Sequence, residues 1–112
     1  MATQLTYAIK FVADMDAAVA FHRDVLGLTL KFASPEWSEF VTGGTTLALH
    51  IASADNPAGG VQLGFGVDDI DALHAALTAK GVIFTQAPVA MHGSRLARFI
   101  GPDGAEISVS GT

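Results

Sequence analysis

The pattern of hydrophobic and polar positions predicts the same order of elements in both halves of the chain, namely a strand, a helix and three strands. Apolar runs rich in β-branched and aromatic residues predict strands, and apolar positions three or four residues apart predict helices. In the first copy we expect strands at 4–12, 28–32, 37–41 and 45–51 and a helix at 15–26. In the second copy we expect strands at 61–67, 82–85, 95–100 and 105–110, a helix from about 70 to 80, and a loop at 86–94.

The sequence itself also repeats at the start of each predicted helix. Residues 12–17 (VADMDA) return fifty-five positions later as residues 67–72 (VDDIDA). Asp14 is the predicted N-cap of the first helix, and either Asp68 or Asp69 caps the second. Such an internal repeat indicates two copies of one module. We therefore predict an α+β fold in a single domain, residues 1–112, with module one at 1–52, a linker at 53–60 and module two at 61–112.

Composition narrows the function classes. Half of the 112 residues are hydrophobic, the formal net charge is −5, and there is no cysteine. An acidic surface argues against a nucleic-acid partner, and no apolar run is long enough to span a membrane. Without cysteine, disulfides and thiolate metal sites are excluded. These features predict a cytoplasmic protein with neither nucleic acid nor membrane as a partner.

Two further segments carry a resemblance to a known family. Residues 18–28 (AVAFHRDVLGL) are similar to the Phe-Tyr-x-x-x-Leu-Gly signature of the vicinal oxygen chelate superfamily, the glyoxalase, bleomycin-resistance and extradiol-dioxygenase group. Residues 101–104 (GPDG) resemble its Asp-Pro-Asp-Gly hairpin. The resemblance implies paired βαβββ modules that form glyoxalase-like half-barrels around a cavity. It also implies a homodimer, with modules often paired across chains.

In the enzymes of this family, His and Glu side chains from the first and fourth strands of the modules hold a divalent metal. Transferred by position, those places fall on Tyr7, Ala48, Gln62 and Ser108. Alanine has no donor atom, and neutral tyrosine and serine bind metals weakly. We therefore expect neither a metal nor a cofactor. A displaced site remains an alternative, because His50 and Glu106 lie two residues from Ala48 and Ser108 on the same strand faces.

Alternation along the strands suggests which side chains line a ligand site. Trp37 is either a stacking wall for a planar ligand or part of a dimer interface, and Glu39 either meets a cationic ligand or is solvated. His50 is a candidate for ligand contact or acid–base work. Gly64 and Gly66 either make room for a ligand or allow tight backbone packing. The predicted ligand-binding residues are Tyr7, Trp37, Glu39, His50, Gln62 and Ser108.

Three functions follow as hypotheses. The first is a metal-independent protein of the bleomycin-resistance type that binds a small molecule, such as a drug or antibiotic, in a cavity formed by a dimer. The alternative is a metal-dependent glyoxalase- or dioxygenase-like enzyme that uses a displaced site around His50 and Glu106. The third is a dimeric partner domain whose cavity is filled by its own side chains.

Overall fold

The computed structural model describes residues 3–112, and its elements follow the predicted order, a strand, a helix and three strands, twice. The strands are β1 (Thr3–Val12), β2 (Thr29–Phe32), β3 (Trp37–Val41), β4 (Thr46–Ile51), β5 (Val61–Val67), β6 (Phe84–Met91), β7 (Ser94–Ile100) and β8 (Glu106–Gly111). The helices are α1 (Met15–Ala20), which continues as a π-helical turn (Phe21–Val25), and α2 (Ile70–Ala79). The predicted α+β fold with two βαβββ modules is confirmed. Within residues 3–112, no helix has the length and apolar character needed to cross a membrane.

The chain forms two compact units. One consists of residues 6–61, and the other of residues 62–112 with the described residues before Thr6. We call the first module one and the second module two. The predicted linker, residues 53–60, lies inside module one, where Gly59 N–H donates to the Phe11 carbonyl and Phe11 N–H donates to the Gly60 carbonyl, each at 2.9 Å. This linker therefore extends the backbone pairing of β1. That residues 1–112 make a single domain stays a prediction.

In module one the strand order is β2-β3-β4-β1, and β1 runs parallel to β4 with Ile9 opposite Ala48. Asp14 is the N-cap of α1, as predicted, because its Oδ1 accepts a 3.1 Å hydrogen bond from Ala17 N–H. Helix α1 packs one face of this sheet. The core on that side consists of Val12, Met15, Val19, Phe40 and Leu49.

In module two the strand order is β5-β8-β7-β6, and β5 runs parallel to β8 with Gly64 opposite Ser108. This pair repeats Ile9 and Ala48 of module one, so the two modules share the same parallel register. Of the two predicted caps for α2, the structure selects Asp69, whose Oδ1 accepts from Ala72 N–H at 3.0 Å. The core of this module consists of Val67, Ile70, Leu73, Ala97 and Val109.

The first predicted helix, residues 15–26, is wrong in its last part. Beyond Ala20 the chain forms the wider π-helical turn, in which Leu26 N–H donates to the Phe21 carbonyl five residues earlier at 3.1 Å. The turn ends at Val25, and Gly27 follows two residues later with a φ of 74°, which suits glycine. His22 is 6% exposed there, with its ring 5.7 Å from that of Phe40. The π-helical turn thereby places the His22 ring in the core of module one.

The predicted loop at residues 86–94 is also wrong, because β6 continues through most of it to Met91. Pro88 suggested a loop, but β6 is the last strand of its module's order, where a missing N–H is tolerated. The register to β7 shifts on the residues around Pro88. The reversal itself needs only His92 and Gly93, both of which have positive φ.

Candidate functional site

The sheet face of module one opposite α1 carries most of the predicted site residues. On β1 and β4, Ile9, Phe11 and Ala48 are buried, and Tyr7 and Trp37 pack against them. Alternation along the strands sends these residues to one side and the helix-facing core to the other. We call the ring-bearing set Tyr7, Phe11, Trp37 and His50 the aromatic face of module one.

Glu39 is the buried carboxylate of this face, with 7% of its surface exposed. Its Oε2 accepts a 2.8 Å hydrogen bond from Trp37 Nε1, two residues earlier on the same strand. Its Oε1 lies 3.8 Å from Lys31 Nζ, which is an ion pair beyond hydrogen-bond distance. Because a buried carboxylate requires hydrogen-bond partners, the indole N–H of Trp37 is the contact that offsets the burial of Glu39 most directly.

His50 is held between two rings. Its ring centroid lies 5.7 Å from that of Trp37, nearly perpendicular, and 5.5 Å from that of Phe11. Nδ1 lies 2.7 Å from the carbonyl oxygen of Ile51. A carbonyl can only accept, so Nδ1 carries the proton in this contact, and in the neutral ring Nε2 is the free acceptor. His50 can therefore accept a hydrogen bond through Nε2.

Tyr7 lies at the edge of the same face, 6.1 Å from Trp37 between ring centroids. Burial raises the pKa of the Tyr7 phenol above its usual value, and the negative charge of Glu39 raises it further. The phenol thus stays protonated at neutral pH and can donate or accept a hydrogen bond. The structure brings together Tyr7, Trp37, Glu39 and His50, four of the six predicted ligand-binding residues.

The other two predicted residues, Gln62 and Ser108, belong to module two and are 9% and 7% exposed. Gln62 Nε2 donates to Glu106 Oε1 at 3.1 Å, and Thr85 Oγ1 donates to Glu106 Oε2 at 2.6 Å. Arg98 Nε lies 4.0 Å from Glu106 Oε1. Both carboxylate oxygens of Glu106 are therefore engaged within module two.

The four positions that the family resemblance assigns to metal ligands do not suit a divalent cation. Ala48 on β4 lies opposite Ile9, and Ser108 on β8 lies opposite the equivalent residue Gly64. The two fourth strands therefore have the same register against their first strands, and neither is shifted relative to the other. The donors that remain are a phenol, a carboxamide and a hydroxyl, none of which is a good ligand when neutral. Within residues 3–112, no group of three or more His, Asp or Glu side chains could hold one metal ion.

The alternative metal site, displaced to His50 and Glu106, is also poorly arranged. His50 belongs to module one and Glu106 to module two. His50 Nδ1 is committed to a carbonyl, and Glu106 is held by Gln62 and Thr85. Use of these two residues as ligands would require Glu106 to exchange its partners.

The sequence did not identify Lys31 and Thr85 as neighbours of the candidate residues. Lys31 reaches Glu39 because β2 is irregular there, and nothing in the segment Thr29–Phe32 signals an irregularity. Thr85 lies at the position where the sequence predicted the end of a strand. Thr85 lies on β6 and Glu106 on β8, with β7 between them, so the strand order rather than a local sequence pattern brings the two side chains together.

A separate depression of about 520 Å³ lies on module two at the β6–β7 turn and is lined by Met91, His92 and Arg95 among others. It is open to solvent and contains none of the six predicted site residues. Arg95 is engaged there by Asp71 through a 2.6 Å hydrogen bond, which lowers the pKa of the Asp71 carboxyl. This depression is therefore not part of the candidate site.

Comparison with known proteins gives a match over nearly the whole chain. The family model described as Glyoxalase/Bleomycin resistance protein/Dioxygenase superfamily matches residues 4–109. Comparison with curated protein sequences gives no significant match.

Solved structures resemble the chain over its whole fold at low sequence identity. A hypothetical protein from Bacillus halodurans C-125 has a TM-score of 0.83 and 15% identity, covering 100% of this chain and 96% of that one. Methylmalonyl-CoA epimerase from Mycobacterium tuberculosis has a TM-score of 0.78 and 22% identity, covering 96% and 87%. A glyoxalase/bleomycin resistance protein/dioxygenase superfamily member from Vibrio splendidus 12B01 has a TM-score of 0.71 and 19% identity, covering 99% and 100%. At these identities the likeness extends to the fold alone.

Proposed function

Because the chain belongs to the Glyoxalase/Bleomycin resistance protein/Dioxygenase superfamily, we propose that it binds a small, partly aromatic, cationic molecule without a metal. The bleomycin-resistance type of function, in which a drug or antibiotic is sequestered, is the form we favour. The observation that carries the proposal is the buried carboxylate of Glu39 on the aromatic face of module one.

The chemistry of this face supports a cationic and planar ligand. Trp37, Tyr7 and His50 offer ring faces and edges for stacking, and aromatic faces attract cations. Glu39 adds a full negative charge of low exposure, where electrostatic attraction is less screened by water and salt. His50 Nε2 and the Tyr7 hydroxyl can fix the ligand's orientation through hydrogen bonds. A ligand-binding role for Gln62 and Ser108 stays a prediction, to be tested by separate substitutions.

Absence of a metal requirement is part of the proposal. It rests on the donor set at positions 7, 48, 62 and 108, which lacks both imidazole and carboxylate. A thermal-shift screen of aromatic and cationic compounds on chelator-treated protein tests it. We expect saturable stabilisation by aromatic cations, and a screen without any saturable hit would refute the binding function.

The alternative is a metal-dependent glyoxalase- or dioxygenase-like enzyme built around His50 and Glu106. Its support is the presence of an epimerase among the structures that share the fold, in a superfamily that includes enzymes. It predicts stoichiometric metal in protein purified without chelator, and loss of that metal in His50→Ala. Metal content by mass spectrometry separates the two proposals, since the binding protein should contain no stoichiometric metal in either sample.

We also propose a cytoplasmic homodimer. Large apolar side chains on both modules are exposed, including Val25 and Ile83 at 70% each, and such surface often marks an interface. Sedimentation equilibrium tests the dimer, for which twice the 11.6 kDa chain mass is expected.

A further inference from the structure

The edge of module one next to Glu39 contains a β-bulge. Thr29 pairs with Val41 and Leu30 with Phe40, so a regular ladder would next pair Lys31 with Glu39. Instead Phe32 pairs with Glu39, and Lys31 is the additional residue. Two residues of β2 therefore lie opposite one residue of β3, which is the arrangement that redirects side chains at sheet edges and beside functional sites.

This irregularity places a cation beside the buried carboxylate without bonding it firmly. Lys31 Nζ stops 3.8 Å from Glu39 Oε1, and its side chain is 59% exposed against 9% for that of Glu39. Within residues 3–112, no other cationic side chain lies within ion-pair distance of Glu39. The ammonium can therefore leave for solvent at small cost, because the edge strand β2 holds it only by its own flexible stem.

We propose that Lys31 is a tethered competitor for the cation site at Glu39, and that the ligand must present its own ammonium or guanidinium group to displace it. This inference rests on the proposed binding function. A ligand cation at hydrogen-bond distance, about 2.8 Å, would bind Oε1 more closely than Lys31 does. The ligand's ring would at the same time stack on Trp37. A neutral aromatic molecule has no group that competes for Glu39, so it can stack on Trp37 while the Lys31–Glu39 ion pair stays in place, whereas a cation binds Glu39 only if it outcompetes Lys31.

The test uses a pair of probes that differ in charge, 2-naphthylmethylammonium and its neutral analogue 2-naphthylmethanol. Isothermal titration measures the affinity of each probe, because naphthyl rings absorb and emit in the same ultraviolet region as Trp37, the only tryptophan, which lies on this face. Lys31→Met removes the competitor, and Lys80→Met makes the same charge change at the end of α2 in module two. Circular dichroism of each variant verifies that the fold is retained.

We expect Lys31→Met to bind the ammonium probe about threefold more tightly, which lies within the range expected for loss of a partly exposed ion pair. Affinity for the neutral alcohol should stay unchanged in Lys31→Met, and Lys80→Met should match the parent with both probes. Equal affinity of the parent and Lys31→Met for the ammonium probe would overturn the role of Lys31 while leaving the binding function intact. Failure of both proteins to bind either probe would overturn the binding function and this inference with it.

Discussion

Replacement of Glu39 by glutamine separates a functional carboxylate from a structural one. The glutamine keeps the length of the side chain and an oxygen that can accept from Trp37 Nε1, while it removes the charge. If Glu39 serves mainly a cationic ligand, the change should leave the fold nearly as stable and weaken ligand binding strongly. We therefore predict nearly unchanged stability together with strongly weakened binding of a cationic ligand.

The stability change follows from three contributions. The charged hydrogen bond from Trp37 stabilises the fold by about 1.5–3 kcal/mol, and the bond to a neutral glutamine by about 0.5–1.5 kcal/mol. The ion pair with Lys31, which is more than half exposed, contributes about 0.2–1 kcal/mol. Against these losses, Glu39→Gln removes the desolvation cost of a buried ion, which is several kcal/mol before compensation. Losses and gain are of similar size, so we expect the free energy of unfolding to change by less than about 1 kcal/mol.

Binding should respond differently, because removal of one partner from a buried charge pair costs about 2 kcal/mol or more. Isothermal titration with 2-naphthylmethylammonium should therefore show a loss of about thirtyfold in Glu39→Gln. Glu36→Gln is the matched control, since Glu36 is exposed and only three residues away. Urea denaturation followed by circular dichroism gives the stability. A destabilisation above about 2 kcal/mol, with cation affinity unchanged, would show that Glu39 is structural and refute the reasoning.

Three further predictions address the rest of the structure. Tyr7 is the only tyrosine, so alkaline titration followed by phenolate absorbance measures its pKa alone; in Glu39→Gln that pKa should fall but stay above 10.0, because burial is the larger cause of the increase. Since the pKa of Tyr7 is raised in the folded state, the stability that this group contributes is present below the ordinary pKa and is lost as pH rises through the folded pKa. Asp71 has a lowered pKa through its hydrogen bond from Arg95, so its contribution is lost as pH falls through the folded pKa; NMR titration of Arg95→Gln should show the Asp71 pKa raised, and an unmoved value would contradict the assignment. A β-carbon at Gly111 would lie 2.2 Å from the Val67 carbonyl oxygen, so Gly111→Ala should destabilise by about 1–3 kcal/mol in urea denaturation, and equal stability of Gly111→Ala and the unhindered Gly44→Ala would contradict the close packing of β5 and β8.

Much of the fold could be predicted because the repeat and the alternation agree. The spacing of fifty-five residues between the two helix starts matches the shared register, in which Ile9 and Ala48 correspond to Gly64 and Ser108. Alternation on β1 placed Tyr7 on the same face as Trp37 and His50 of neighbouring strands. The alternation of side chains between the two faces of a strand depends only on the local backbone, so it can be predicted from the sequence without a structure.

Other features depend on contacts that the local pattern does not specify. The β-bulge that puts Lys31 beside Glu39 lies in a strand without glycine or proline, so no residue type in that strand indicates a bulge. The π-helical turn buries His22 against Phe40, which is distant in sequence. Pro88 predicted a loop, but the position of β6 at the end of the strand order made a proline acceptable there.

The central claim is that this chain binds an aromatic cation on module one without a metal. The most direct test is isothermal titration of the parent protein with 2-naphthylmethylammonium, in excess chelator and again in excess Ni²⁺, Zn²⁺ or Mn²⁺. We expect saturable binding with the same affinity in every condition, because the contacts are the rings of the aromatic face and the carboxylate of Glu39. Binding that disappears in chelator and returns with one of the metals would contradict the claim and favour the enzyme built around His50 and Glu106.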